Sequence, residues 1–143
     1  MKHIFSGLFL GLVMASAAAA EDVNRADLYV SCIDYQNAKW KAGSSGTLNY
    51  LTASQLKQLA PFNFALMKQE CDCTVTAAFK FLSESTIAAY NTSLQAKGDG
   101  IALNSDAATK EFKTAGMVDK KIACTEKSLE SSGYSKKLQE LSK

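Results

Sequence analysis

Between Phe62 and Leu94 the apolar residues Phe64, Met67, Cys71, Val75, Ala78 and Leu82 recur at steps of three and four. That spacing is one face of an α-helix. Cys73 stands two positions after Cys71, roughly 200° around the axis at about 100° per residue. Phe62, Leu66, Ala77 and Phe81 give it apolar company. A helix apolar on two sides belongs at the centre of a bundle rather than on its surface. Ile87, Tyr90 and Leu94 extend the stripe, and Ser83 to Thr86 is where it can be interrupted.

Upstream, Glu21 to Lys41 reads as a first helix. Ala26, Tyr29, Val30, Ile33, Asn37 and Trp40 form its packing arc, with Cys32 at the edge. Trp40, the only tryptophan, is assigned to the core, where large aromatics dominate burial. Gly43-Ser44-Ser45-Gly46 marks a loop. Thr52-Ala53-Ser54-Gln55 matches a capping box, with Leu51 and Leu56 placed for a hydrophobic staple. The short helix it opens is expected to stop at Pro61, which has no backbone N–H to donate.

Downstream, Gly98-Asp99-Gly100 closes the central run, and Asn104-Ser105-Asp106 offers an N-cap for a helix through Phe112. Gly116 ends that helix. Asp119 to Ser131 forms the next, with Val118, Ile122, Thr125 and Leu129 on one face and Cys124 on the stripe of Met117, off to the side. Gly133 suits a C-cap, and Tyr134, Leu138 and Leu141 a final short helix. No run alternates with period two between turn signals. The expected fold is all-α, a small bundle of about five helices stapled by two disulfides.

Composition changes this picture at the N-terminus. Lys2 and His3 precede an apolar run from Ile4 to Val13, and Ala18-Ala19-Ala20 supplies the small residues of a cleavage site. Residues 1–20 are read as a cleaved signal peptide and 21–143 as one exported domain, periplasmic or secreted. Removing 20 of 143 residues leaves a mature chain of 123, with 15 basic against 14 acidic residues. So even a balance leaves no electrostatic footprint for nucleic acid. Membrane insertion after cleavage is not expected. His3 is the only histidine and departs with the leader, so imidazole-based nucleophile pairs and the usual histidine metal sites are excluded.

The four cysteines, Cys32, Cys71, Cys73 and Cys124, allow three pairings, and an oxidising compartment converts an even set into structural disulfides. Because Cys71 and Cys73 face different sides of one helix, each is expected to tie to a different flanking helix, one to Cys32 and the other to Cys124. Each bond then closes a loop of some forty to fifty residues, stabilising the fold by roughly 4 kcal/mol through loop-closure entropy. The alternative makes Cys71 and Cys73 a redox pair in a thiol–disulfide exchanger. Glu70 and Asp72 beside them oppose it, since negative charge raises thiol pKa. The spacing lacks the Cys-x-x-Cys knuckles of a thiolate metal site.

Asn91-Thr92-Ser93 matches a glycosylation triplet, which arises often by chance and carries no weight behind a bacterial-looking leader. Asp34, Glu70, Asp72, Asp119, Glu126 and Glu130 are scattered at helix-surface spacings and mark no acid–base pair. Tyr29, Tyr35, Tyr50 and Tyr90 are read as core aromatics before ligand contacts. The layout resembles that of small exported helical proteins with a C…CxC…C pattern, a resemblance that transfers no activity and no site residue. The expectation is a non-enzymatic protein without cofactor or metal that binds another protein, as an inhibitor or immunity protein. The loop from Lys41 to Tyr50 and the turn from Gly98 to Leu103 are its expected surfaces. A carrier of a small apolar ligand is a third reading.

Overall fold

A computed structural model describes residues 22–143; the leader assigned to residues 1–20 lies outside them. The described residues form six α-helices and no strand, so the all-α expectation holds with one helix more. α1 (Arg25–Ser45) begins at Asn24, whose side-chain oxygen accepts from the Asp27 N–H at 3.0 Å. The expected start at Glu21 and end at Lys41 both shift toward the C-terminus. The helix continues past Gly43, with the Ser44 and Ser45 hydroxyls donating to carbonyls of the preceding turn, Trp40 at 2.8 Å and Ala42 at 3.2 Å.

α2 (Ala53–Phe81) opens on the expected capping box: the Thr52 N–H donates to Gln55 Oε1 at 2.8 Å, and the Gln55 N–H to Thr52 Oγ1 at 3.2 Å. Pro61 does not stop it. The ring sits on the exposed side, so the Lys57 carbonyl left without its donor is open to water, while Leu59 and Asn63 hold the buried side. The short helix and the central helix are one. The run is interrupted at the edge of the stretch marked for it: α2 ends at Phe81, and α3 (Glu84–Gln95) starts after two extended residues, Leu82 and Ser83.

The cause of the break comes from α4 (Asp106–Thr114). Its Glu111 carboxylate accepts from the Ser83 N–H (2.6 Å), the Ser83 hydroxyl (2.7 Å) and the Thr86 hydroxyl (2.6 Å). A borrowed carboxylate thus caps α3, whose own Ser83 side chain makes no cap bond. Those three bonds hold the Glu111 carboxyl below its ordinary range, the Thr86 hydroxyl contributing most. α5 (Met117–Ser131) and α6 (Tyr134–Leu141) each follow a left-handed glycine, Gly116 and Gly133.

α2 is the hub, packed against α1, α5 and α6, while α3 joins α1 to α4. Cys32 bonds Cys71 and Cys73 bonds Cys124, with Cα atoms 5.7 Å apart in each pair. No cysteine is free. The disulfides fit an oxidising compartment, and no helix among the described residues is long and apolar enough to cross a membrane.

The core gathers Leu28, Cys71, Val75, Tyr90, Phe112 and Met117, with the Tyr90 and Phe112 rings 5.2 Å apart. Met67, Cys71, Val75, Ala78 and Leu82 are buried as expected, but Phe64 is 53% exposed beneath Lys68. On α1 the fully buried residues are Leu28, Ser31 and Cys32; of the expected arc, Tyr29 and Ile33 pack against the core and Asn37 is half-buried, while Ala26 and Val30 face solvent. The bond to Cys71 turns Cys32 inward, which rotates the packing stripe. Trp40 is only half-buried.

Candidate functional site

The same rotation operates on α5. Its buried residues are Met117, Cys124 and Ser128, because the disulfide draws Cys124 toward α2. Of the face expected to pack, Val118, Ile122, Thr125 and Leu129, Val118 still packs against the core and Thr125 and Leu129 are half-buried, but Ile122 is 53% exposed; Val118, Ile122 and Thr125 line an open groove.

This groove lies between α1 and α5. Both pack on α2, but no comparable packing joins them to each other. Tyr35, Gln36 and Lys39 form one wall, Val118, Lys121 and Ile122 the other. Glu70 of α2 lies between them, and Asp99 and Ile101 close one end. The volume is about 350 Å³. A second hollow of about 220 Å³ shares Gln36, Lys39 and Glu70, and continues past Trp40 to Gly43, Thr47 and Leu48. Residues of the turn from Gly98 to Leu103 line the first hollow and residues of the stretch from Lys41 to Tyr50 line the second, and the two hollows share Gln36, Lys39 and Glu70. Tyr50, in the first of them, is exposed and lines neither hollow.

Each wall is fastened next to the residues that line it. Cys32 precedes Tyr35 by one turn, Cys71 adjoins Glu70, and Cys124 adjoins Thr125. The closed end is fixed by Gly100, whose φ is +72°. A β-carbon there would overlap the Tyr90 ring, so only glycine lets this turn lie over the core.

Charge in the groove is mixed and partly internalised. Gln36 Nε2 donates to Glu70 Oε1 at 2.7 Å. Lys121 Nζ donates to the Asp99 carbonyl at 2.5 Å and stands 5.5 Å from the Tyr90 ring centre. Burial pushes the Lys121 ammonium below its ordinary range, opposed by the Asp99 and Glu70 carboxylates and assisted by Lys39. Tyr35 moves the other way, raised by burial and then by Asp99 and Glu70. The Thr125 hydroxyl is committed to the Lys121 carbonyl at 3.0 Å. What remains is an apolar wall with a charged rim.

Sequence reasoning placed the four cysteines but not this groove. Lys121 and Gln36 carried no signal in the sequence, and the Val118–Ile122–Thr125 stripe carried one that pointed to the core. Among the tyrosines, Tyr35 lines the groove and Tyr90 is core. Among the carboxylates, Glu70 and Glu126 reach the groove, and Asp72 lies 3.5 Å from Arg25 on the surface. Cys71 and Cys73 are each bonded to a cysteine of a flanking helix, and Cys71 is 0% exposed. Asn91 of the glycosylation triplet is buried, with no room for a glycan on its amide. Among the described residues no three acidic, thiol or imidazole groups converge on a metal position. Comparison with family models, with curated proteins and with solved structures found no match.

Proposed function

We propose that this chain is an exported, non-enzymatic binding protein, periplasmic or secreted, which holds another protein in the α1–α5 groove as an inhibitor or immunity protein does. One observation carries the reading: Ile122 is 53% exposed on the wall of a groove whose two flanking helices are each clamped to α2, with Val118 beside it packed on the core. A rigid wall loses little conformational entropy on association, so more of the contact energy is retained as affinity. The rim carries Lys39 and Lys121 with Glu70, Asp99 and Glu126. It suits a partner segment that presents an apolar side chain flanked by both signs of charge.

The test is site-specific photo-crosslinking. Benzoylphenylalanine at position 122 is expected to trap one discrete partner in native exported fractions, while the same probe at position 130, outside the groove, traps none. Ile122→Lys should remove that complex with helix content and disulfides intact. Equal trapping at both positions, or a complex indifferent to Ile122→Lys, would sink the groove assignment. A co-purifying small mass in native mass spectrometry, lost with Ile122→Lys, would transfer the groove to the ligand-carrier reading.

A further inference from the structure

We propose that the smaller hollow, of about 220 Å³, is a pocket for a phenol ring, the tyrosine side chain of the protein held in the adjoining groove. The ring's source rests on the proposed function; the preference for a phenol rests on the hollow itself. Two helix faces form it. Gln36, Trp40 and Gly43 of α1, and Asn63, Met67 and Glu70 of α2, both run at steps of four and three. That spacing keeps the residues of each helix on one face, so it is their side chains that face the hollow. Gly43 has no side chain, and a β-carbon there would meet nothing closer than Thr47 Oγ1 at 3.7 Å. The hollow owes part of its room to that glycine.

The polar group inside is Asn63, only 7% exposed. Among the described residues its one side-chain hydrogen bond runs from Nδ2 to the Met67 sulfur at 3.6 Å, a weak acceptor. Oδ1 has no donor, yet it is not closed to solvent as the Oδ1 atom of Asn91 is. On the α2 face that lines the hollow, the solvent it meets is the hollow's own. A buried amide so poorly paired is destabilising, and a ligand hydroxyl removes that loss. A phenol both donates and accepts, so it pairs with either edge of the amide. Its ring meets apolar surface from Trp40, Leu48, Leu66 and Tyr134, and the Met67 sulfur favours an aromatic neighbour. An aliphatic side chain would leave Asn63 unpaired, and a short polar one would leave the aromatic walls bare. Lys39 and Glu70, the charged residues of the lining, are of opposite sign, which suits a neutral ring.

Trp40 is the only tryptophan, so its indole N–H gives the disulfide-bonded protein one isolated NMR signal at the hollow. Titration with N-acetyltyrosine amide should shift it saturably, with a Kd on the order of 1 mM for so few atoms. N-acetylphenylalanine amide, which lacks the hydroxyl, should bind roughly three- to tenfold more weakly. Gly43→Leu fills the hollow from a helical position with room for a side chain, and should abolish both responses with helix content intact. Asn63→Leu should remove the preference for tyrosine and leaves the Trp40 signal in place; if it does not fold, Gly43→Leu carries the test. No saturable shift, equal binding of the two amides, or a response that survives Gly43→Leu overturns the pocket. The occupant's source is tested apart from it: Gly43→Leu should weaken the partner crosslink from position 122 by about threefold or more. An unchanged crosslink beside intact tyrosine binding leaves the groove standing and overturns the partner's tyrosine as the occupant. The titration needs no partner, so it decides the pocket even where that crosslink, and the groove reading with it, fails.

Discussion

The two flanks of α2 carry one disulfide each in very different surroundings. Cys71 is wholly buried and its partner Cys32 nearly so, among Leu28, Val75 and Ala78. Cys73 is half-buried and lines a hollow open to solvent beside Gln69, Asp72 and Ser131. The loops are alike, 39 and 51 residues, so loop-closure entropy assigns each bond about 4 kcal/mol. Surroundings make the difference. The first bond is wholly inside the core; the second runs from buried Cys124, 4% exposed, to Cys73 at the surface, and sets α5 at the edge of the groove.

The largest effect expected is from Cys32→Ser with Cys71→Ser. Beyond the entropy common to both bonds, it buries two hydroxyls in an apolar core. Its loss in urea unfolding should exceed that of Cys73→Ser with Cys124→Ser by about 1–3 kcal/mol. Equal losses would erase the distinction. Under limiting reductant with alkylation, peptides of Cys73 and Cys124 should label first, because a reductant reaches that bond more easily.

Single substitutions sharpen the contrast between core and surface. Phe112→Ala removes a fully buried ring and should cost about 3–5 kcal/mol. Glu111→Gln weakens the borrowed cap of α3 and should cost about 1 kcal/mol. Because the folded carboxyl is held below its ordinary range, its contribution is complete above that range. It is lost as pH falls through the depressed value, so the difference between wild type and Glu111→Gln should shrink in acid. Ile122→Ala, on the open wall, should change stability by no more than about 0.5 kcal/mol while weakening the partner complex. A large stability loss there would mean the wall is core after all.

Much of the fold was legible in particular residues. The Thr52–Gln55 box, the glycines at 116 and 133, and the stripe from Met67 to Leu82 act within a few residues of chain. Local hydrogen bonding and side-chain period decide them wherever the chain goes. The errors cluster where a distant group intervenes. Pro61 was read as a stop because its missing donor counts equally on any face; only packing shows that the gap faces water. The end of α2 depends on Glu111, which lies 28 residues beyond Ser83. The groove was invisible because the Val118–Ile122 stripe reads as a packing face until Cys124 takes that role.

The sequence by itself determined helical class, the broad order of the helices and the allotment of Cys71 and Cys73 to different flanking helices. It could do so because an α-helix separates positions i and i+2 by more than half a turn. Tertiary structure alone decided which flank took which partner, how far each clamp rotated its helix, and so which apolar stripe was left facing solvent. Rotation of a helix about its axis leaves its own backbone bonds intact. It is set by side chains reaching across from another element, and no local pattern records it.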